Sequence, residues 1–254
     1  MGEILDAIPV LTQVDADARL DDLARRYRSA GRSGVQIVNL LGAQAENLLN
    51  RLPEPVREGL GAGTEQALHI ALAAASTSRR AVPDQPDWVN TALGSALGAA
   101  GGFGGMAGTM VELPATVTLR MRSVQGVARR EGFDPEADSV KFDCIRVFAG
   151  GGPLAHDDAT DLGFLSVKMS LSGKALNQMI AAIAPKLATV MGQKLAAQTV
   201  PVLGAVAGAT VNYAYTEYYQ KVAQVHFGLR RLAIEADMDH ALLLDRLQRR
   251  LIAK

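Results

Sequence analysis

The fold is decided by residues 88–111, WVNTALGSALGAAGGFGGMAGTMV, a run without a single charged side chain. Within it Gly94, Gly98 and Gly102 recur at every fourth position. On a helix this spacing places the glycines on one face, and a face without side chains lets a second backbone approach closely. The run therefore predicts a helix that packs tightly against another helix.

A second uncharged run covers residues 199–216 and reads TVPVLGAVAGATVNYAYT, with Gly204 and Gly208 at the same spacing. Two segments of matching composition are expected to pack on each other or to form shallow membrane-inserting hairpins. The first run is long enough to span a bilayer. Because Gly, Ala, Ser, Thr and Asn dominate it, we favour a tightly packed internal helix or a kinked helical hairpin.

The rest of the chain has apolar residues at helical spacing and no strand-like alternation bounded by turns. Helices are predicted at 15–29, 34–52, 55–78, 109–131, 135–149, 164–199, 202–236 and 239–252. The predicted fold is all-α, a single multi-helix, bundle-like domain with closely packed Gly/Ala-rich central helices. Residues 1–59 are expected to form an N-terminal helical segment that packs on the core of residues 60–254, as one continuous domain.

Composition narrows the class of protein. The chain has 254 residues and a formal net charge of zero, so no basic field points to a nucleic-acid partner. Cys144 is the only cysteine, and its apolar neighbours predict a buried small hydrophobe rather than a catalytic thiol. Since no secretory signal is visible, we expect a cytoplasmic protein or one peripheral at the inner face of the membrane.

Polar side chains follow the predicted helix around Pro114. Glu112, Thr116, Arg120 and Ser123 are spaced by four, four and three residues, which places them on one face of a continuous helix. A buried carboxylate among apolar neighbours needs a partner. The simpler interpretation is a structural ion pair, and the sharper one is a site for a polar headgroup or substrate.

The predicted helix at 202–236 carries two stripes. The first has heptad spacing, is expected to be core, and consists of Val211, Tyr215, Tyr218, Val222, Val225, Leu229 and Leu232. The second mixes polar and aromatic side chains, as in a pocket or at a membrane interface, and consists of Asn212, Tyr219, Ala223, His226 and Arg230. His226 is the best candidate for an ionisable functional residue, against the plainer interpretation of a structural histidine.

Metal and nucleotide sites find little support. The four histidines lack the spacing of a zinc site. His156, Asp157, Asp158 and Asp161 share a loop that suits a divalent cation or, more simply, solvent. The glycines at 102–105 follow no strand and lack the Gly-Lys-Ser/Thr ending of a nucleotide loop. We therefore predict no metal and no cofactor.

Several segments resemble the EcsC family, in the family's order. They read GGFGGMAGTMVELPATVTLRMRSVQGVARREG (101–132), CIRVFAGGGP (144–153), DLGFLSVKMSLS (161–172) and QKLAAQTVPVLGAVAGATVNYAYTEYYQKVAQVHFGLRRL (193–232). The resemblance covers about residues 60–235 and implies a helical, membrane-associated protein, related to one encoded beside an ABC exporter, without implying a reaction. The positions it singles out are Glu112, Pro114, Thr116, Arg120, Arg129, Gln198, Pro201, Asn212, Gln220, His226, Phe227 and Arg230.

Three functions are compatible with these features. We favour a non-enzymatic, membrane-peripheral protein that binds lipid or another apolar ligand, with its basic C-terminal helix (239–252) facing anionic lipid. The alternatives are a scaffold or regulatory partner of a transporter or secretion system, with the heptad stripe as a partner surface, and a hydrolase using Glu112 and His226 as acid and base. The residues expected to bind ligand are Glu112, Thr116, Arg120, Asn212, Tyr219, Gln220, His226 and Arg230.

Overall fold

The computed structural model describes residues 11–41, 52–150, 152, 173–197 and 201–253. In those ranges the chain is all-α, with eight helices packed together and no strand, which confirms the predicted fold class. The helices are α1 (Gln13–Leu41), α2 (Glu54–Ala81), α3 (Asp87–Phe103), α4 (Gly105–Arg130), α5 (Asp138–Phe148), α6 (Gly173–Ala197), α7 (Pro201–Glu235) and α8 (His240–Ile252). The loop at 156–161, the segment at 161–172 and Gln198 lie outside the described residues.

The uncharged run at 88–111 folds as a helical hairpin. Helix α3 ends at Phe103, Gly104 forms the turn, and α4 continues through Pro114 to Arg130. Of the two favoured interpretations, the kinked hairpin is therefore the one observed. Asp87 lies in the first turn of α3, and Pro86 occupies the capping position before it. In the part of the chain that is described, no helix is long and apolar enough to cross a bilayer.

The two glycine runs pack against each other as antiparallel helices, α3 on α7. A Cβ added at Gly98 would lie less than 3.0 Å from the carbonyl oxygen of Gly208, and one at Gly102 equally close to that of Gly204. Real Cβ atoms do not approach an atom so closely, so only glycine permits this contact. We call these four residues the glycine seam.

Helix α7 occupies the centre of the domain and packs against α1, α3, α4, α5, α6 and α8. Its heptad stripe, from Val211 to Leu232, is buried by the chain's own helices. The prediction that this stripe is core is confirmed, and the stripe is not available as a surface for a partner. Cys144 lies in the same core, where burial raises the pKa of its thiol.

The N-terminal segment contributes to the same hydrophobic core. Helix α1 is continuous from Gln13 to Leu41, although the sequence suggested two helices, at 15–29 and 34–52. Its Leu20 and Tyr27 are buried in the core cluster. Helix α2 runs without interruption through residues 59 and 60, where the sequence suggested the boundary of the N-terminal segment.

Candidate functional site

The polar side chains of α4 share one buried face, as their spacing predicted. Glu112 is 7% exposed, Thr116 0% and Arg120 1%. The Thr116 hydroxyl donates a hydrogen bond to Glu112 Oε1. A carboxylate and a guanidinium are thus both placed inside the domain, where each requires polar partners.

Asn212 of α7 joins Glu112 to Arg120. Its Nδ2 donates to Glu112 Oε1 at 2.7 Å and to the carbonyl oxygen of Gly94 at 2.9 Å, and its Oδ1 accepts from Arg120 Nη2 at 2.8 Å. An amide can do this because it carries a donor and an acceptor on one group. We call Glu112, Thr116, Arg120 and Asn212 the Glu112 cluster.

The guanidinium of Arg120 is surrounded by tyrosines. Its Cζ lies 5.3 Å from the centroid of the Tyr215 ring, a cation–π contact. Burial lowers the pKa of Arg120, and the nearby Tyr219, Glu112 and Tyr215 oppose that effect. Among the described residues, Arg120 Nε and the hydroxyls of both tyrosines have no hydrogen-bond partner. Buried polar atoms of this kind ordinarily pair with water or another polar group.

Gln220 ties three helices together beside the Glu112 cluster. Its Nε2 donates to the carbonyl oxygen of Asp87 and to Ser123 Oγ, both at 2.9 Å, and its Oε1 accepts from Thr91 Oγ1 at 3.1 Å. The side chain thereby joins α3, α4 and α7 by hydrogen bonds within the domain. Its role in this geometry is structural.

His226 and Arg230 belong to a second cluster, built around Asp143 of α5. His226 Nε2 and Arg146 Nη1 each lie 3.2 Å from Asp143 Oδ1, and Arg230 Nη1 lies 2.6 Å from Oδ2. We call these four residues the Asp143 cluster. It connects α5 to the C-terminal half of α7 through one carboxylate.

The charges of the Asp143 cluster stabilise its carboxylate form. Burial would raise the pKa of Asp143, but the adjacent His226, and then the charges of Arg146 and Arg230, outweigh it, so the pKa lies below its ordinary value. Burial lowers the pKa of the neighbouring His240, and the charge of His226 adds to this effect. The cluster can hold an ion pair between two helices, and no described groove opens onto it.

The two clusters lie far apart on α7. Asn212, which contacts Glu112, is separated from His226 by about 21 Å along the helix, at 1.5 Å per residue. General acid–base chemistry requires partners within hydrogen-bond reach. The structure therefore does not bring Glu112 and His226 together as the hydrolase hypothesis requires.

The hydroxyl groups on the polar face of α4 are bonded and buried. Thr116 lies beside Glu112 and is 0% exposed. Ser123 accepts a hydrogen bond from Gln220 and is also buried. In this geometry the amide of Asn212 joins Glu112 to Arg120, an arrangement that fits the simpler, structural interpretation.

A cavity of about 390 Å³ lies between α2, α4 and α6. Its lining is apolar apart from Thr64 and includes Val56, Gly59, Gly63, Leu113, Val117, Met191 and Leu195. We call it the α2 groove. A Cβ added at Gly59 or Gly63 would meet no atom of the described chain within 4 Å, so the space beside these two glycines is open.

Within the described ranges, no three His, Cys, Asp or Glu side chains come together as a group that could hold a metal ion. The loop with His156 and Asp161 lies outside those ranges, so the interpretation of that loop stays a prediction.

Sequence reasoning missed Asp143, Arg146 and the α2 groove. Asp143 stands in an apolar run, and the argument applied to Glu112, that a buried carboxylate needs a partner, would have identified it. Gly59 and Gly63 have the four-residue spacing of the glycine seam. That spacing marks a bare helix face but does not tell whether the face is filled.

Residues 87–232 match the family model of the EcsC protein family, which confirms the resemblance noted in the sequence. The matched span exceeds half of the chain and contains both polar clusters, whereas α2 precedes it. No curated protein and no solved structure matches the chain.

Proposed function

The chain belongs to the EcsC protein family, and on the strength of the α2 groove we propose that it is a non-enzymatic, membrane-peripheral protein that binds the apolar part of a lipid or another apolar ligand. Its place of action in this proposal is the cytoplasmic face of a membrane. The groove is the observation that carries the proposal, because it offers an apolar space with room for a ligand.

The size of the α2 groove suits a small apolar ligand. Ligand sites in proteins are mostly apolar clefts of about 300–1,000 Å³, and the groove has about 390 Å³. The open space at Gly59 and Gly63 supports the same conclusion, since a Cβ added at either position would meet no described atom within 4 Å.

The lining of the groove sets the chemistry of its ligand. None of the lining residues is charged, and Thr64 contributes the one polar side chain. Burying a charge without a partner costs several kcal/mol or more. The part of a ligand inside the groove is therefore a hydrocarbon chain or another apolar group, and a charged headgroup stays at the opening.

The polar clusters support a binding role rather than catalysis. Asn212, the α7 partner of Glu112, lies about 21 Å from His226 by the rise of α7, and the hydroxyls of Thr116 and Ser123 are buried in hydrogen bonds. Both clusters join helices, which fits a rigid frame around an apolar site.

The experiment that tests this function is native mass spectrometry of the purified chain, followed by organic extraction and identification of the released molecule. We expect a species heavier than the bare chain by the mass of one lipid or fatty acid. A bare mass that persists after oleate is added would contradict the proposal.

A further inference from the structure

The outward side of α3 is apolar along its whole length. Its exposed residues from 88 to 103 are Trp88, Ala92, Leu93, Ala96, Ala100 and Phe103, and none of them is charged. We call these six residues the α3 face. At 1.5 Å per residue it extends for about 22 Å, and its two ends carry aromatic rings that are 73% and 70% exposed.

Exposed apolar residues of the neighbouring helices border the α3 face. Val111 of α4 is 82% exposed and Val206 of α7 is 58% exposed. The hairpin turn brings Val111 to the Phe103 end of α3, and the glycine seam does the same for Val206. At the opposite end, Tyr213 of α7 lines a shallow groove together with Trp88.

A surface of this kind indicates a binding partner. Single exposed apolar residues are ordinary, but a continuous apolar strip marks an interaction site. Helix α3 buries its glycines against α7 and exposes apolar residues on its other side, so from Trp88 to Phe103 it carries no charged residue on either side. Such helices lie in a protein interior or in contact with lipid.

The charges nearest the α3 face are paired. At the Trp88 end, Arg130 lies 2.6 Å from Asp87, and Lys221 lies 2.8 Å from Glu217. The formal charges of these two pairs cancel. These two pairs therefore add no net charge at the border of the face, and they favour neither an anionic nor a cationic partner.

The basic C-terminal helix differs from α3 in how its apolar side is used. Helix α8 buries its leucine stripe in the core. Arg250 binds Asp17 at 2.5 Å and Asp21 at 2.8 Å, and Arg249 binds Asp245 at 2.9 Å. The apolar side of α8 therefore packs on the protein, and the expectation that its basic side faces anionic lipid stays a prediction.

The dimensions of the α3 face favour a bilayer over a second copy of the chain. A helix face about 22 Å long and about 11 Å wide covers about 240 Å². A stable protein interface buries about 800 Å² on each partner. A bilayer needs no complementary surface of that size, because lipid surrounds each side chain that enters it and binding grows with the apolar area inserted.

We propose that the protein docks on a lipid bilayer through the α3 face, with α3 parallel to the membrane plane and Trp88 at the level of the headgroups. The proposal rests on the membrane-peripheral part of the function proposed above and identifies its contact surface. Because the border of the face is neutral, docking requires no anionic lipid and changes little with salt concentration.

The chain carries its own reporter of docking, because Trp88 is its only tryptophan. The full chain is mixed with vesicles of pure phosphatidylcholine, and tryptophan emission and iodide quenching are measured together with co-sedimentation. We expect co-sedimentation, a blue shift of the emission and weaker quenching, since the exposed indole moves from water into the interface.

A matched pair of variants tests the surface itself. Leu93 on the α3 face is 48% exposed, and Ile70 on α2 is 47% exposed. We expect Leu93→Glu to weaken vesicle binding at least about tenfold and Ile70→Glu to leave it unchanged, because only the first carries a charge into the bilayer. Circular dichroism confirms that both variants fold, and Phe103→Glu provides a second variant on the same face.

Three results would overturn the docking proposal. They are unchanged Trp88 emission in co-sedimented protein, equal binding by Leu93→Glu and Ile70→Glu, and a vesicle-free dimer that Leu93→Glu dissociates. Failure to bind any vesicle would remove the membrane part of the proposed function as well. The α2 groove is tested separately, because Leu93→Glu is expected to keep its apolar ligand.

Discussion

Two helix faces bear glycines four residues apart, and they differ in what lies opposite them. The glycine seam is closed, since Gly98 and Gly102 meet the backbone of Gly208 and Gly204. The α2 groove is open at Gly59 and Gly63, where the facing residues of α4 and α6 are larger apolar side chains that keep the helices apart. Glycines four residues apart thus leave one face of a helix without side chains. The residues of the opposing helix determine whether that face becomes a tight contact or a cavity.

The largest change in stability is expected at the glycine seam. Gly98→Ala should lower the free energy of unfolding by about 3 kcal/mol or more, because the new methyl group would force α3 and α7 apart. Urea unfolding followed by circular dichroism measures the change. The control is Gly61→Ala, where a Cβ meets no described atom within 4 Å and about 1 kcal/mol of stabilisation is expected. Equal stability of the two variants would show that the seam is not tight.

The next effect tests the polar contact beside the seam. Asn212→Ala should cost about 2–3 kcal/mol of unfolding free energy, since it removes the hydrogen bonds that join Glu112 to Arg120. Thr210→Ala on the same helix, which is half-buried and whose hydroxyl donates to the carbonyl oxygen of Val206, serves as the control and should cost less than about 1 kcal/mol. If both variants lost the same unfolding free energy, the Glu112 cluster would not stabilise the contact at the glycine seam.

A smaller effect on stability is expected at the C-terminal half of α7, where the Asp143 cluster takes the place of the glycine seam. This effect depends on pH. The folded-state pKa of Asp143 lies below its ordinary value, so its carboxylate adds stability above about pH 4, and this is lost as the pH falls through the folded pKa. Asp143→Asn should cost about 1–2 kcal/mol at neutral pH, with a difference from wild type that vanishes in acid.

Unfolding of wild type and Asp143→Asn across the pH range measures this difference. The exposed Asp138 of the same helix provides the control, and Asp138→Asn should change stability by less than about 0.5 kcal/mol. A loss at Asp143 that stays constant with pH would contradict the assigned direction of its pKa.

The smallest effect is expected at the α2 groove, where substitution should raise the free energy of unfolding instead of lowering it. Gly59→Ala and Gly63→Ala should each raise the free energy of unfolding by about 0.5–1 kcal/mol, because alanine favours the helix and a Cβ meets no described atom there. The same urea experiment measures both. A loss of stability at either position would mean that the groove is filled in the folded protein.

The sequence predicts the closed face better than the open one, for a physical reason. Gly98 and Gly208 lie in two uncharged runs of matching composition, and a tight helix contact accounts for glycine on both sides. The four-residue spacing from Glu112 to Arg120 likewise fixed a shared helix face. No second glycine run marks a partner for Gly59 and Gly63. The residues that line the other sides of the α2 groove belong to α4 and α6, which are distant in sequence.

The same limit explains the Asp143 cluster. His226 is visible as an ionisable residue on the stripe of α7, but its partner is on α5, and no local pattern connects the two helices. Tertiary packing determines that pairing. It also separates His226 from Glu112, which a prediction based on residue types alone had brought together.

The most direct test of the central claim, that the open glycine face binds an apolar ligand, compares Gly63→Leu with Gly61→Leu. Both glycines lie on α2 with no described atom within 4 Å of an added Cβ, but only Gly63 lines the groove. The measurement is the bound-ligand stoichiometry by native mass spectrometry after equal exposure to oleate. We expect Gly61→Leu to bind oleate as the wild type does and Gly63→Leu to bind none. Equal binding by both variants would contradict it.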